Sequence, residues 1–325
     1  MWQEYLFPSS VEEALAMLAE RKGRARLMAG GTDLVIELTE GRQAADCLVD
    51  ITRIAGLDRI TLEDGMIVLG ANVTHRQASE SPLVRERATV LAEACRAVGS
   101  LQIRNVGTLG GNVVNAMPAA DGTTALLALE AEVEIADESG WRWVPLPDLF
   151  VGPGVSRVDS TREMLTAFRF QALGERQGSA LERIARRRAL ALPILICALV
   201  VTLSEGAENF ESARIALGPV APVPFRASQA EESLRGAPIS LETMARAGEI
   251  ATQESHPRSS LLRASKEYRQ EVIKVLVRRG LERAVQGAIS NLQSPTSKFQ
   301  REVNHHVFFD DDVERRSCDC GGRAL

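Results

Sequence analysis

Histidine is scarce in this 325-residue chain, which has only four, at 75, 256, 305 and 306. An enzyme that relies on imidazole as a base or metal ligand has few candidates here. Lysine also occurs only four times among 38 basic residues, a bias that reads as codon usage in a GC-rich genome. The five cysteines, at 47, 95, 197, 318 and 320, are odd in number and form no C-x-x-C pair. That argues against a disulfide framework and for a reducing compartment. No long apolar run exists: the longest, Ala189 to Val201, has 13 residues, is broken by Pro193 and falls short of the ~20 of a membrane-spanning helix. The start lacks a basic region followed by an apolar core, so no secretory signal is expected. Net charge is −5 with no dense basic patch, which disfavours nucleic acid as a partner. What remains, 45% hydrophobic and 25% charged, is the profile of a soluble, cytoplasmic globular protein.

Hydrophobic periodicity divides the chain. Ser10 and Glu13 form a capping box before Val11, Ala14, Leu15 and Leu18, the apolar stripe of a helix. A strand over 25–29 runs into Gly30-Gly31-Thr32-Asp33, followed by a helical turn at 34–38 and a strand at 47–51. Strands follow at 66–69 and 164–170, with a hairpin at 132–136 and 141–144 turning through Asp137 to Gly140. One helix is expected over 83–98, with Val84, Ala88, Leu91, Cys95 and Val98 on its buried face. Gly174 to Ser179 reads as a polar link. Beyond it lie a buried strand at 194–203, a strand at 213–217, a Pro-rich turn at 218–224, and helices at 228–235, 241–254 and 265–285. The expected organisation is a small α/β unit (1–54), a mostly antiparallel β unit (55–177), an α+β domain (178–285) and a tail (286–325), either disordered or docked on a partner. There is no internal repeat.

Two glycine loops carry the chemistry. A pyrophosphate needs several N–H donors close together, and only glycine lets the backbone approach it at φ > 0 without steric cost. Gly30-Gly31-Thr32-Asp33 follows a strand and supplies one such nest; Gly110-Gly111-Asn112 supplies an opposing wall. Neither is the G-x-G-x-x-G or the G-x-x-x-x-G-K-[ST] fingerprint. From spacing alone, tight turns and a ligand site both remain open.

The motifs Ala29-Gly30-Gly31-Thr32-Asp33-Leu34 and Gln102-Ile103-Arg104-Asn105-Val106-Gly107-Thr108-Leu109-Gly110-Gly111-Asn112, the latter running on to Pro118-Ala119-Ala120-Asp121, resemble those of one family. It is the FAD-binding medium subunit of the molybdenum hydroxylases, which include bacterial xanthine dehydrogenases, carbon monoxide dehydrogenase and 4-hydroxybenzoyl-CoA reductase. The likeness continues through Arg214-Ile215-Ala216-Leu217-Gly218-Pro219-Val220-Ala221-Pro222 and Arg263-Ala264-Ser265-Lys266-Glu267-Tyr268-Arg269. It covers about residues 1–285 and not the tail.

The resemblance implies an α+β fold: a two-subdomain FAD-binding region of the vanillyl-alcohol-oxidase type, then a C-terminal domain of a small antiparallel sheet with a helical bundle. It implies that Leu27, Met28, Ala29, Gly30, Gly31, Thr32, Asp33 and Leu34 wrap the FAD pyrophosphate. Ile103, Thr108, Gly111, Asn112, Asn115, Ala120 and Asp121 would lie along the ribityl, phosphate and ring, with Leu165 on the isoalloxazine. Asp121 has a second reading, as the N-cap of a helix over 122–129. Where many relatives place an aromatic or lysine near the ring edge, this chain has Leu181-Glu182-Arg183-Ile184, with Glu182 expected to face solvent. No catalytic residue and no metal ligand is assigned to this chain; Cys318 and Cys320 are too few for a cluster. The partners implied are a large molybdopterin-binding subunit and a small subunit with two [2Fe–2S] clusters, in a dimer of heterotrimers. Electrons would pass through FAD to NAD or another acceptor. A xanthine dehydrogenase-like complex for purines or N-heterocycles is favoured. The alternatives are an aromatic acyl-CoA, carbon monoxide or aldehyde oxidoreductase, or a stand-alone flavin reductase.

Overall fold

Ser10 starts the first helix by accepting from the Glu13 N–H at 3.1 Å, while the Glu13 carboxylate reaches back to the Ser9 N–H at 2.6 Å. The computed structural model describes residues 2–187, 190–260 and 263–293. The first unit holds β1 (Glu4–Leu6), α1 (Val11–Glu20), β2 (Ala25–Met28), α2 (Leu34–Thr39) and β3 (Cys47–Asp50). Its parallel sheet has the order β1-β3-β2, and the apolar stripe of α1 packs with Cys47 and Val49.

The second unit opens with β4 (Ile60–Glu63) and β5 (Met66–Gly70). Six helices follow: α3 (His75–Glu80), α4 (Pro82–Arg87), α5 (Thr89–Ala97), α6 (Leu101–Val106), α7 (Leu109–Val114) and α8 (Asp121–Ala128). Then come β6 (Glu132–Asp137), β7 (Gly140–Pro145), the small ribbon β8 (Phe150–Gly152) and β9 (Val155–Ser156), and β10 (Met164–Gln171). The antiparallel sheet runs β4-β5-β10-β6-β7, so β10 lies in its centre.

The third unit pairs β11 (Gln177–Ala185), β12 (Pro193–Leu203), β13 (Phe210–Gly218) and β14 (Phe225–Arg226) in that order, antiparallel throughout. Helices α9 (Ser228–Leu234), α10 (Leu241–Glu254) and α11 (Lys266–Gln293) follow. Successive side chains of a strand point to opposite faces. Ile196, Ala198 and Val200 of β12 enter the core of the second unit with Leu126 and Leu91. Leu195, Cys197, Leu199 and Val201 enter the core beneath the helices with Ile273 and Leu281. Both faces of the strand are covered, which is why its sequence is continuously apolar and not alternating. Among the described residues, no helix is long and apolar enough to cross a membrane.

Four local expectations change. The helix expected over 83–98 breaks at Ala88, with φ −155° and ψ 50°. There the Arg87 carbonyl accepts from Leu173 N–H at 2.8 Å, and Ser179 Oγ accepts from Val90 N–H at 3.1 Å. The expected polar link at 174–179 is partly strand, because Gly178 lies in β11, where a Cβ would come within 2.0 Å of the Ala284 carbonyl of α11. The glycine segment 107–112 is half helix, since α7 starts at Leu109. The last helix runs on to Gln293, past the tail boundary expected at 286. The rest of that tail, with Cys318 and Cys320, lies outside the described residues.

Candidate cofactor site

The first loop leaves the end of β2 and turns into α2. Gly31 has φ +66°, the left-handed region that favours glycine, and its carbonyl accepts from Val35 N–H at 3.1 Å to begin the helix. Gly30 faces the end of α6, and a Cβ there would lie 1.9 Å from the Val106 carbonyl oxygen. The loop therefore tolerates no side chain at Gly30, and it brings Thr32 against Gly107 of the second loop. Asp33 is exposed and makes no side-chain cap, and Leu34 is half-buried at the start of α2. Met28, Gly30, Gly31 and Thr32 are half-buried.

The second loop is anchored by Thr108, which is buried and caps α7 by accepting from Gly111 N–H at 3.1 Å. Leu109 and Gly110 donate to the carbonyls of Val73 and Ala71, each at 2.9 Å. The two adjacent glycines differ in role. A Cβ at Gly110 would lie 2.7 Å from the Ala71 carbonyl, so that glycine allows close packing. A Cβ at exposed Gly111 would meet only Thr108 Oγ1, at 3.2 Å. Asn112 Oδ1 accepts from Thr123 N–H at 3.2 Å and from its hydroxyl at 3.1 Å, tying α7 to α8. Asn115 caps the end of α7, buried Ala120 precedes α8, and Ile103 is exposed on α6.

Between the first loop, α7 and β10 opens a cleft walled by Leu27, Ala29, Ile51, Thr108, Gly111 and Leu165. Of the residues expected at the site it gathers Leu27, Ala29, Thr108, Gly111 and Leu165. The other residues of the first loop, and Ile103, Asn112, Asn115, Ala120 and Asp121, do not border it.

Asp121 is not an N-cap: α8 begins at Asp121 itself, after Ala120, and no side chain caps it. Its carboxylate accepts from Arg183 Nε at 2.8 Å, joining α8 to β11, because the buried charge needs a partner more than the helix needs a cap. Burial pushes the Asp121 pKa up to about 6, with Arg183 pulling it back. Glu182 does not face solvent. It lies against α11 and accepts from Arg283 Nη1 at 2.7 Å, since the alternation of β11 turns it away from the face that meets α5 and α8.

Two polar residues beside the loops escaped the sequence reading. Asn72, 6% exposed, also lines the cleft. His75 is 3% exposed and its N–H donates to the Gly107 carbonyl at 3.0 Å. Its ring lies 3.5 Å from the positions that side chains at Gly107 and Gly122 would take. Burial, aided by Arg104, lowers its pKa to about 4 and keeps the ring neutral. Each follows a strand end and faces a glycine loop, and that signal was available.

The residues present fit a dinucleotide. A glycine-rich turn offers backbone N–H groups to phosphates, Gly111 is exposed at the cleft, and the cleft wall is mostly apolar.

Residues 2–170 match the FAD binding domain in molybdopterin dehydrogenase, and residues 181–284 match the CO dehydrogenase flavoprotein C-terminal domain. A xanthine dehydrogenase FAD-binding subunit of Escherichia coli O157:H7 is 36% identical over 287 residues, 88% of this chain and 97% of that protein. A nicotinate dehydrogenase FAD-subunit of Eubacterium barkeri is 34% identical over 245 residues, 74% of this chain and 82% of that one. Carbon monoxide dehydrogenase from Hydrogenophaga pseudoflava superposes with a TM-score of 0.82 at 30% identity, covering 90% of this chain and 98% of that one. The chain thus belongs to the FAD-binding medium subunits of the molybdenum hydroxylase family, and is a component of an oxidoreductase.

Proposed function

We propose that the chain holds FAD across its two glycine loops as the electron-transfer subunit of a cytoplasmic, xanthine dehydrogenase-like complex acting on purines or other N-heterocycles. Its partners are then a large molybdopterin-binding subunit, where substrate reacts, and a small subunit with two [2Fe–2S] clusters, assembled as a dimer of heterotrimers. NAD or another acceptor takes the electrons. The similarity to xanthine and nicotinate dehydrogenase subunits supports the substrate class. The same reading assigns 1–54 and 55–177 to two flavin-binding subdomains, 178–285 to the C-terminal domain and 286–325 to a tail.

FAD, when bound, supplies an acceptor that takes up and passes on one or two electrons. The chain's own residues bind and orient. Backbone N–H groups from Gly30 to Leu34 hold the pyrophosphate, Thr108 fixes the second loop, and Leu27 and Leu165 offer an apolar wall. No side chain here is asked to move a proton. The contrast between the two glycines carries the proposal: a Cβ at Gly110 would meet the Ala71 carbonyl at 2.7 Å, whereas Gly111 is exposed at the cleft, where a Cβ would meet only the capping Thr108 Oγ1, at 3.2 Å.

Affinity purification from the native host tests it. The expected product is one flavin per chain with two further chains, iron and molybdenum. A chain with flavin but no metals or partners would mark a stand-alone reductase, and a chain without flavin would refute the assignment.

A further inference from the structure

Among the described residues Arg269 is the one buried arginine, 3% exposed. A charge taken out of water is ordinarily paired with an opposite one, yet among the described residues no carboxylate bonds Arg269. Its Nη1 donates to the Pro219 carbonyl at 3.1 Å, and its Nε has no partner. Two further guanidinium groups stand beside it. The segment leading into α11 turns back on itself: Ser260 N–H donates to the Ala264 carbonyl at 2.9 Å, and Ser259 Oγ accepts from Lys266 N–H at 2.9 Å. That turn sets Arg258 and Arg263 at the start of α11, one helical turn from Arg269, whose N–H donates to the Ser265 carbonyl at 3.2 Å. Burial lowers the Arg269 pKa below the usual arginine value, and Arg263 and Arg258 lower it further. Arg258 is exposed, Arg263 is half-buried, and neither has an ion pair among the described residues. Glu267, the acid in this segment, is held by its own N–H and by Ser265. Three positive charges thus gather without a bonded carboxylate on a chain whose net charge is −5. Arg269 is sealed and contributes only its field; Arg258 and Arg263 are the groups that an anionic partner can touch.

The chain carries the complementary charge beyond α11. Asp310-Asp311-Asp312-Val313-Glu314 places four carboxylates in five residues. The distance can be covered: α11 has 28 residues, so its two ends lie about 40 Å apart. Residues 294–309 span up to about 55 Å when extended. We propose that the acidic run 310–314 docks on Arg258 and Arg263 of its own chain, at the start of α11, with the Arg269 charge behind them. Guanidinium groups pair with carboxylates through two parallel N–H bonds, and a tethered segment outcompetes free acidic peptides by its high effective concentration. The run lies outside residues 181–284, so the contact is a feature of this chain and not of the matched C-terminal domain. It is independent of the flavin assignment.

The scarcity of lysine makes the test sharp. Of the four, at 22, 266, 274 and 298, only Lys266 lies at this site. A zero-length carbodiimide, which joins a lysine amine to a carboxylate in contact with it, is applied to the full-length chain, alone and in the purified holoenzyme. Linked peptides are read by mass spectrometry on a mixture of unlabelled and nitrogen-15-labelled chains, which separates links within a chain from links between chains. Lys266 is expected to join a carboxylate of 310–314 within one chain. The yield should fall about fivefold in R258Q/R263Q, the effect of losing two surface ion pairs. It should fall likewise in wild type at about 1 M salt, where screening acts within about 3 Å. The salt series needs no variant, so it does not depend on any mutant's folding. No link at Lys266, or links only to acids outside 310–314, overturns the proposal. So does a yield that R258Q/R263Q and salt leave unchanged. A link found only between chains, or in the holoenzyme only to another subunit, gives the site to a different occupant and overturns it too.

Discussion

One methyl group separates the roles of the loop glycines. Alanine at Gly30 or Gly110 drives a Cβ into a backbone carbonyl, at 1.9 Å and 2.7 Å respectively. Each substitution is expected to destabilise the apoprotein by about 2–4 kcal/mol, read as a lowered Tm. Gly111→Ala should change apoprotein stability by no more than about 1 kcal/mol, because the helix preference of alanine is set against a 3.2 Å contact with the capping Thr108 Oγ1. It should nonetheless weaken flavin binding in a titration. A second residue-scale expectation concerns acid. His75 stays neutral down to about pH 4 in the fold but titrates at 6.5 when free, so its contribution to stability is full above 6.5 and is lost as pH falls from there toward 4. Asp121, raised from 3.8 to about 6, has the opposite sign: its contribution is full below 3.8 and is lost as pH rises through 6. The two oppose each other between about pH 4 and 6. Asp121→Asn removes one of them, so thermal melts should show it losing on the order of 2 kcal/mol more than wild type as pH drops from 6 to 4. The sequence made the glycines legible because absent side chains are visible in it. It did not show which glycine abuts a distant backbone carbonyl and which meets only a nearby side chain, because the carbonyl comes from a distant segment.

Elements were read well where their signals are local. The Ser10 cap, the hairpin turn at Asp137–Gly140 and the α1 stripe of Val11, Ala14, Leu15 and Leu18 all depend on residues a few positions apart. The break between α4 and α5 does not. Val84, Ala88, Leu91 and Cys95 are all buried, so the apolar period continues through a helix that stops. What stops it are bonds from Leu173 and Ser179, more than 80 residues away. Ser179→Ala, which strips the cap from Val90 N–H, should cost about 1 kcal/mol in denaturant unfolding with an unchanged m-value. Strand β11 was missed for a related reason: Gly178 resembles a linker residue in sequence, and only the approach of α11 explains it. Asn72 and Asp121 belong here too, since their partners Ile51 and Arg183 lie far along the chain.

At the scale of the whole molecule, composition suggests a boundary near residue 178, but it does not show that core is shared across that point. Leu181, Ile196, Ala198, Val200 and Ala216 of the third sheet belong to the core of the second unit. Across the same seam, Glu93 of α5 accepts from Arg283 of α11 at 2.7 Å and from Leu181 N–H of β11 at 2.9 Å. A fragment ending at 177 would expose that apolar face. It is expected to bind a hydrophobic dye and to lack a cooperative unfolding transition, whereas the intact chain should unfold in one step by fluorescence and circular dichroism.

The doubly covered strand β12 has a consequence for how the chain finds its pairing. In most half-buried strands, a slip of one residue turns apolar side chains to water, and that penalty enforces register. Here both faces are dry, and a slipped β12 would bury as much hydrocarbon as a correct one. Volume must discriminate instead. Ala198 is small where α5 and α8 approach, while Leu199 fits a notch left by Gly280, where a Cβ would sit 2.2 Å from its Cδ1. Exchanging the sizes at 198 and 199 would preserve the hydrophobic pattern entirely and still erase the information that tells this strand where to stop.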